Sequence, residues 1–326
     1  MFERVILADD GSPIARTAVP RAAALAAGCG SEVLVVRVSH AAGTRPQDLD
    51  ESEWRRYVSA EGRAEAAENP LEAEPHLSEV LNELQALGVE NVGSLVLHSG
   101  DAGDALVEAA DRLAAGLLVL TSRGQGGLRR YVLGSVAEQL SREARETPIL
   151  LVPATEEGGA PSAGVTAPLK RLLLPLDGSE LSQVALPHAE ALARALDAEL
   201  VLVRAVDSEA DLLAASMPTG APPTATLSAE DARVIAIREG EAAAEALRTQ
   251  AAELRDRGLA KIGVEVIEGD AAEGILAAAD RLEADMIVMA THGRGGLGRL
   301  LLGSVADRVT RESERASVLL VRPSED

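Results

Sequence analysis

Among 326 residues the chain has one cysteine, four aromatic residues and two lysines, and each shortage removes a class of function. One thiol closes no internal disulfide and builds no cysteine-based zinc site, so a reducing compartment is expected. Phe2, Trp54, Tyr57 and Tyr131 are too few for the stacking platforms of a single-strand nucleic-acid binder, and they leave the core to Ala, Leu and Val. Lys170 follows Leu169 and Lys261 follows Ala260, so the Gly-Lys-Ser/Thr of a Walker A loop does not exist. No G-x-S-x-G nucleophile elbow occurs, which argues against an α/β-hydrolase. No stretch of about 18 uncharged apolar residues is present, and the first residues, MFERVILADDGS, turn acidic early instead of running from basic to apolar. Neither a membrane span nor a secretory leader is expected, and cytoplasm is the expected location. Basic residues are outnumbered, 31 against 52, for a net charge of −21, so nucleic acid is a poor partner.

What is present is a repeat. Gly124-Gln-Gly-Gly-Leu-Arg-Arg-Tyr-Val-Leu-Gly134-Ser135-Val136-Ala137 matches Gly293-Arg-Gly-Gly-Leu-Gly-Arg-Leu-Leu-Leu-Gly303-Ser304-Val305-Ala306 without a gap, 169 residues on. Val5 to Ser12 matches Leu172 to Ser179 at an offset of 167, and Gly100-Asp101-Ala102 matches Gly269-Asp270-Ala271 at 169. One fold therefore occurs twice, as domains over 1–153 and 169–326, joined by a flexible Gly/Pro/Ser/Thr-rich linker over 154–168. Residues 1–153 carry 14 basic and 23 acidic groups and residues 169–326 carry 17 and 27, so neither half is a basic module.

Short β-branched runs alternate with longer Ala-rich segments, the pattern of parallel strands covered by helices. Strands are expected over 3–9, 31–38, 92–98, 116–121 and 148–152, then 170–176, 198–205, 262–268, 285–290 and 317–321. Ser12 is expected to cap the first helix, with Pro13 at its first position and Gly28 at its end, and Ser179 starts the counterpart. The excursions 39–91 and 206–261 are long enough to be lid-like.

The strongest chemical signal is the glycine-rich loop between the fourth strand and the next helix, which occurs in both copies. Gly124, Gly134 and Ser135, and likewise Gly293, Gly303 and Ser304, offer small residues beside a helix N-terminus, whose unsatisfied N–H groups and partial positive charge suit an anion. A turn followed by a capped helix would use the same residues. Gly293, Gly295 and Gly298 satisfy G-x-G-x-x-G, but Arg129 breaks it in the first copy and no acidic residue ends the next strand, so a dinucleotide fold is disfavoured. Asp10 and Asp177 end the first strands, where a carboxylate either accepts from a base or ribose or caps the first turn; Gly100 and Gly269 follow the third strands, so all these loops gather at one carboxyl edge. His292 beside the loop has Arg123 as its counterpart, which makes a polar ligand contact a better role than a base. His40, His76, His98 and His188 show no metal spacing, and Cys29 between two glycines reads as a small buried side chain.

On these residues the chain resembles the universal stress proteins, as two domains of that family in tandem. The resemblance rests on the family's ATP-binding pattern Gly-x2-Gly-x9-Gly-Ser/Thr, here Thr121-x2-Gly124-x9-Gly134-Ser135 and Ala290-x2-Gly293-x9-Gly303-Ser304, with the first glycine replaced in both copies. It implies a five-stranded parallel sheet of order 3-2-1-4-5 with helices on both faces in each domain, and last strands that pair, so that the two domains form an internal pseudo-dimer; a homodimer is open. It further implies ATP, with Mg²⁺, at a site whose adenine end meets Asp10 and Val38, or Asp177 and Ala205. The remaining contacts would come from Gly100, Thr121, Arg123, Gly124, Gly134, Ser135 and Val136 in the first copy. In the second they would come from Gly269, Ala290, His292, Gly293, Gly303, Ser304 and Val305. The second copy keeps the family's Pro-x-Asp as Pro175-Leu-Asp177, whereas the first has Ala8-Asp-Asp10. The expected role is a nucleotide-responsive stress protein with an unknown protein partner and at most weak ATPase activity; a nucleotide-independent scaffold on the same fold is the alternative.

Overall fold

A computed structural model describes residues 1–39, 75–122, 133–143, 147–154, 169–216, 227–291 and 302–323, so the expected linker lies almost wholly outside it. Ten strands form one sheet: β1 (Arg4–Ala8), β2 (Glu32–Ser39), β3 (Val92–His98), β4 (Leu117–Thr121), β5 (Ile149–Val152), β6 (Arg171–Pro175), β7 (Glu199–Val206), β8 (Ile262–Glu268), β9 (Met286–Ala290) and β10 (Ser317–Val321). Their order is β3-β2-β1-β4-β5-β10-β9-β6-β7-β8, so each half runs 3-2-1-4-5 with parallel neighbours. At the middle β5 and β10 pair antiparallel, Leu150 opposite Leu319. Sequence pattern follows position in the sheet. Central β4, β5, β9 and β10 are buried along their whole length, whereas edge strand β3 buries every second residue.

Two apolar layers cover the faces. Val5, Leu7, Val33 and Val35 face the layer built with helix Val19–Cys29 and helix Pro75–Ala86, and Ile6, Leu34 and Val36 face the layer of helices Ala102–Arg112 and Ser135–Glu143. The second half repeats this with Leu172 and Leu174 on one face and Leu173 on the other, covered by helices Leu186–Ala195, Ala229–Asp256, Ala271–Arg281 and Ser304–Glu312. Of the two excursions, 40–74 and 217–226 fall outside the described residues; the rest of the second is helix Glu209–Ala215 and a 28-residue helix packed on β7 and β8.

The first helix departs from expectation. Ser12 Oγ does accept from Ala15 N at 3.1 Å, but what it caps is a 3-10 turn, Ala15–Ala18; the α-helix begins at Val19 with Pro20 in its first turn. Pro13 therefore precedes the helix, and the end comes at Gly30, whose φ of 66° suits a left-handed cap, and not at Gly28. Gly28 instead lies where the two halves meet, 2.4 Å from Leu196 Cδ2 measured from an ideal Cβ. Phe2 meets His188 edge-on at 6.1 Å across the same seam. Arg21, fully buried there, has its guanidinium pulled down to about 10 by burial while the Asp285 charge opposes the shift, so it stays cationic at neutral pH.

A polar clamp recurs. Arg4 Nε bonds Glu32 and its Nη1 donates to the Leu113 carbonyl; Arg171 Nε bonds Glu199 at 2.7 Å and its Nη1 donates to the Leu282 carbonyl. Each clamp ties the start of the first two strands to the end of the third-strand helix. Gly116, which leads into β4, is closed in by backbone: an added Cβ would sit 2.3 Å from the Met1 carbonyl oxygen and 3.0 Å from Phe2 Cα. Gly116→Ala is expected to cost about 1–3 kcal/mol, read as a lower urea midpoint at unchanged slope. Gly240→Ala, inside the 28-residue helix with no atom within 4 Å of the new methyl, is expected to gain about 0.4–1 kcal/mol in the same measurement.

Candidate functional site

In each half β1 (or β6) leads to a strand on one side, β2 (or β7), while β4 (or β9) pairs on the other. Connections leaving in opposite directions open a crevice at the carboxyl ends, the place where doubly wound sheets take ligands. The expected residues that the structure describes, Asp10, Val38, Gly100, Thr121, Gly134, Ser135 and Val136 with Asp177, Ala205, Gly269, Ala290, Gly303, Ser304 and Val305, stand at the ends of these strands or in the connections that follow them. Arg123, Gly124, His292 and Gly293 lie outside the described residues.

The turn after the first strand is built alike in both halves. Asp10 Oδ1 accepts from Ser12 N at 2.9 Å, and Asp177 Oδ1 accepts from Ser179 N at 2.9 Å and Ser179 Oγ at 2.6 Å. Between them Gly11 and Gly178 take φ of 79° and 82°, which glycine adopts without strain. Each carboxylate is thus held at the mouth of the crevice by the turn it caps. The second strand is fastened beside it: Asp9 N donates to Val36 O and Leu176 N to Val203 O, which brings Val38 and Ala205 to the same edge.

The loops after the third strands differ. Ser99 N donates to Ser39 O in the first half, but Gly269 N makes the corresponding bond to Val206 O in the second, so the second loop is one residue shorter. Gly269 takes a φ of 95°, whereas Gly100 takes no positive φ; the two glycines do different jobs. Asp101 Oδ1 accepts from Asp104 N at 3.0 Å and Asp270 Oδ1 from Glu273 N at 2.8 Å, so both are helix caps. The Asp104 N–H holds the Asp101 carboxyl below its usual range.

The glycine-rich loops are pinched shut at their necks. Gly134 N donates to Ser122 O at 2.8 Å and Gly303 N to Thr291 O at 2.7 Å, while Ser122 N and Thr291 N donate to Val152 O and Val321 O. The residue that leaves each strand and the residue that precedes the next helix are therefore held together at the carboxyl edge. The glycine N–H is spent on the neck, so the donors for an anion are the next ones, Ser135 and Val136 or Ser304 and Val305; at the second helix no side chain caps them. Gly303 has φ −59° and ψ 147°, which other residues adopt, so what glycine supplies there is the missing Cβ. Thr121 and Ala290, in place of the family's first glycine, end their strands buried.

A pair that the sequence reading passed over stands beside the first site. His76 Nε2 lies 2.8 Å from Asp9 Oδ2, and Asp9 is 5% exposed. Burial pushes the Asp9 carboxyl up, while the His76 charge and the Gly11 N–H pull it down. Leu176, also buried, occupies the equivalent place in the second half. An acidic residue where the repeat has leucine was the available signal. Cys29 is half-buried with its thiol pushed up by burial, and His188 is held below the usual imidazole range by burial. Among the described residues no cluster of three His, Cys, Asp or Glu is placed to hold a metal ion, and no helix is long and apolar enough to cross a membrane.

Comparison with known proteins agrees with the fold. The sequence model of the universal stress protein family matches residues 1–153 and again 168–322. A universal stress protein of Methanocaldococcus jannaschii is 34% identical over 157 residues, 48% of this chain and 85% of its own. One from Mycolicibacterium smegmatis is 31% identical over 212 residues, 64% of this chain and 63% of its own. The crystal structure of a universal stress protein from Archaeoglobus fulgidus superposes with a TM-score of 0.61 at 19% identity, covering 98% of both chains, a likeness of fold.

The Asp9 environment sets a pH dependence. A carboxyl raised by burial binds its proton more readily folded than unfolded, so its stability contribution grows as pH falls through the carboxylate range. Relative to Asp9→Leu, which copies the second half, the unmodified protein is expected to gain stability between pH 7 and pH 4 in urea unfolding. A difference that stays flat with pH would show that Asp9 is not titrating as its burial requires.

Proposed function

The chain belongs to the universal stress protein family, and from that premise we propose that it binds an adenine nucleotide, ATP, at the carboxyl edge of each half. The observation that carries this reading is the pair of necked loops, which deliver a helix N-terminus to the crevice, uncapped by a side chain at the second helix, beside a carboxylate fixed by its own turn. Phosphate oxygens accept from the N–H groups of Ser135 and Val136, or Ser304 and Val305, and from the serine hydroxyl. Asp10 with Val38, and Asp177 with Ala205, take the nucleoside end. Arg123, Gly124, His292 and Gly293 complete the loops. Mg²⁺ accompanies the phosphates as part of the bound nucleotide, since no protein cluster of ligands is offered among the described residues.

The two domains, 1–153 and 169–326 with a linker over 154–168, each carry one site, and pairing of their last strands makes the chain a pseudo-dimer within itself. Occupancy biases the connections around the crevice and thereby the surface shown to a protein partner in the stress response. Hydrolysis is at most slow: the loop position next to Gly293 is His292 in one copy and Arg123 in the other, so no base is repeated.

Titration of nucleotide-stripped protein with ATP and Mg²⁺ by calorimetry is expected to give about two sites per chain. Gly303→Val should put a side chain in the phosphate position and leave about one site, and adding Gly134→Val should leave none, each with the urea midpoint preserved. Absence of heat at millimolar ATP would overturn the reading and leave the necked loops to architecture, as in a nucleotide-independent scaffold.

A further inference from the structure

Arg37 of β2 and Arg204 of β7 stand at the same place in the two halves, 167 residues apart and one position before Val38 and Ala205. Each reaches over the turn that follows the first strand of its half. An ideal Cβ on Gly11 would meet Arg37 Nη2 at 3.0 Å, Cζ at 3.1 Å and Nη1 at 3.2 Å; on Gly178 it would meet the same atoms of Arg204 at 2.9, 3.0 and 3.0 Å. Three atoms of a planar group at nearly one distance from a point place the flat face toward that point. The guanidinium therefore lies face-on to the glycine, whose positive φ is what the turn requires. Both arginines are half-buried, and each sits over the turn at the carboxyl end of the first strand of its half.

Among the described residues the only aromatic apart from histidine is Phe2, and it packs at the seam against His188. A guanidinium held in one orientation is a flat, weakly hydrated group on which a nucleotide base can stack; a lysine ammonium is not.

We propose that Arg37 and Arg204 recognise the purine base, which stacks on the guanidinium plane while Asp10 or Asp177 accepts from its polar edge. The inference rests on the nucleotide reading above and deepens it by naming which part of the ligand these residues meet. Charge alone is a competing explanation, because an arginine at the edge of a chain of net charge −21 also attracts phosphate.

The test uses Arg37→Lys, Arg204→Lys and the double variant, which keep the charge and lose the plane. Calorimetry measures ATP and inorganic tripolyphosphate directly and adenosine by competition, with urea midpoints recorded alongside. Each single variant is expected to bind ATP and adenosine about tenfold more weakly at its own site, with tripolyphosphate affinity and urea midpoint unchanged. Unaltered ATP and adenosine affinity overturns the inference, as does an equal loss for tripolyphosphate, which would make the effect one of charge, or a falling midpoint that accounts for the loss. An unmodified protein that binds no ATP overturns the nucleotide reading as well, so the two failures are separable.

Discussion

Everything at the candidate sites depends on one topological constraint. Parallel strands cannot be joined by tight turns, so each connection must cross a face of the sheet as a helix, and both faces are buried. This is why β1, β4, β6 and β9 are nearly continuous apolar runs and why polar side chains are confined to strand ends. In each half the order 2-1-4 reverses the direction of the crossovers at the first strand. The turn capped by Asp10 or Asp177 and the necked glycine loop meet at the carboxyl end there. The crevice follows from how the sheet is wound.

Duplication shows which contacts this winding requires and which it only permits. The Arg4–Glu32 clamp and its partner Arg171–Glu199 are kept in both halves down to the carbonyl each arginine caps, because the same strand starts and the same helix end must be joined. Farther out, the chemistry drifts. Arg16 reaches Glu79 at 2.7 Å and Glu83 at 2.8 Å, yet its counterpart Gln183 pairs with Gln250 at 3.1 Å, an uncharged link between the same two parts of the fold. A half-exposed ion pair contributes about 0–1 kcal/mol, little more than an amide pair, so nothing prevents the exchange. The Asp9–His76 pair against Leu176 is a stronger divergence, since it places a titrating group at one crevice and an apolar one at the other.

Most of the fold was legible because buried parallel strands write themselves as short β-branched runs, and all ten expected strands lie within a residue or two of β1 to β10. What escaped had local physical reasons. Ser12 with Pro13 has the signature of an N-cap and first position, but the serine closes a 3-10 turn, and Pro20 in the first turn of the true helix gives the same signal five residues after Ala15. The match of Gly100 to Gly269 hid a deletion, since both loops end in a capping aspartate and only the backbone bonds to Ser39 and Val206 reveal the missing residue. Asp9–His76 was invisible because the partners are 67 residues apart on different elements. The orientation of Arg37 over Gly11 is a matter of side-chain path, which no spacing encodes.

A net charge of −21 looks at odds with the proposed polyanion sites until the distances are compared. At physiological salt the field of an exposed carboxylate is screened over about 8 Å, so the overall charge acts weakly at any one crevice. In the proposed nucleotide site the donors of a helix N-terminus touch the phosphate, and their partial charge of about one half acts within the first turn, where screening has no room to operate. Nearby acids are also engaged. Glu138 bonds Arg142 at 2.6 Å, Asp307 bonds Arg311 at 2.9 Å, and Asp270 bonds Arg308 at 2.8 Å. The acid in the first turn of each helix, Glu138 or Asp307, is thus answered by an arginine on that same helix, so acidity elsewhere on the surface is compatible with local anion recognition at each crevice.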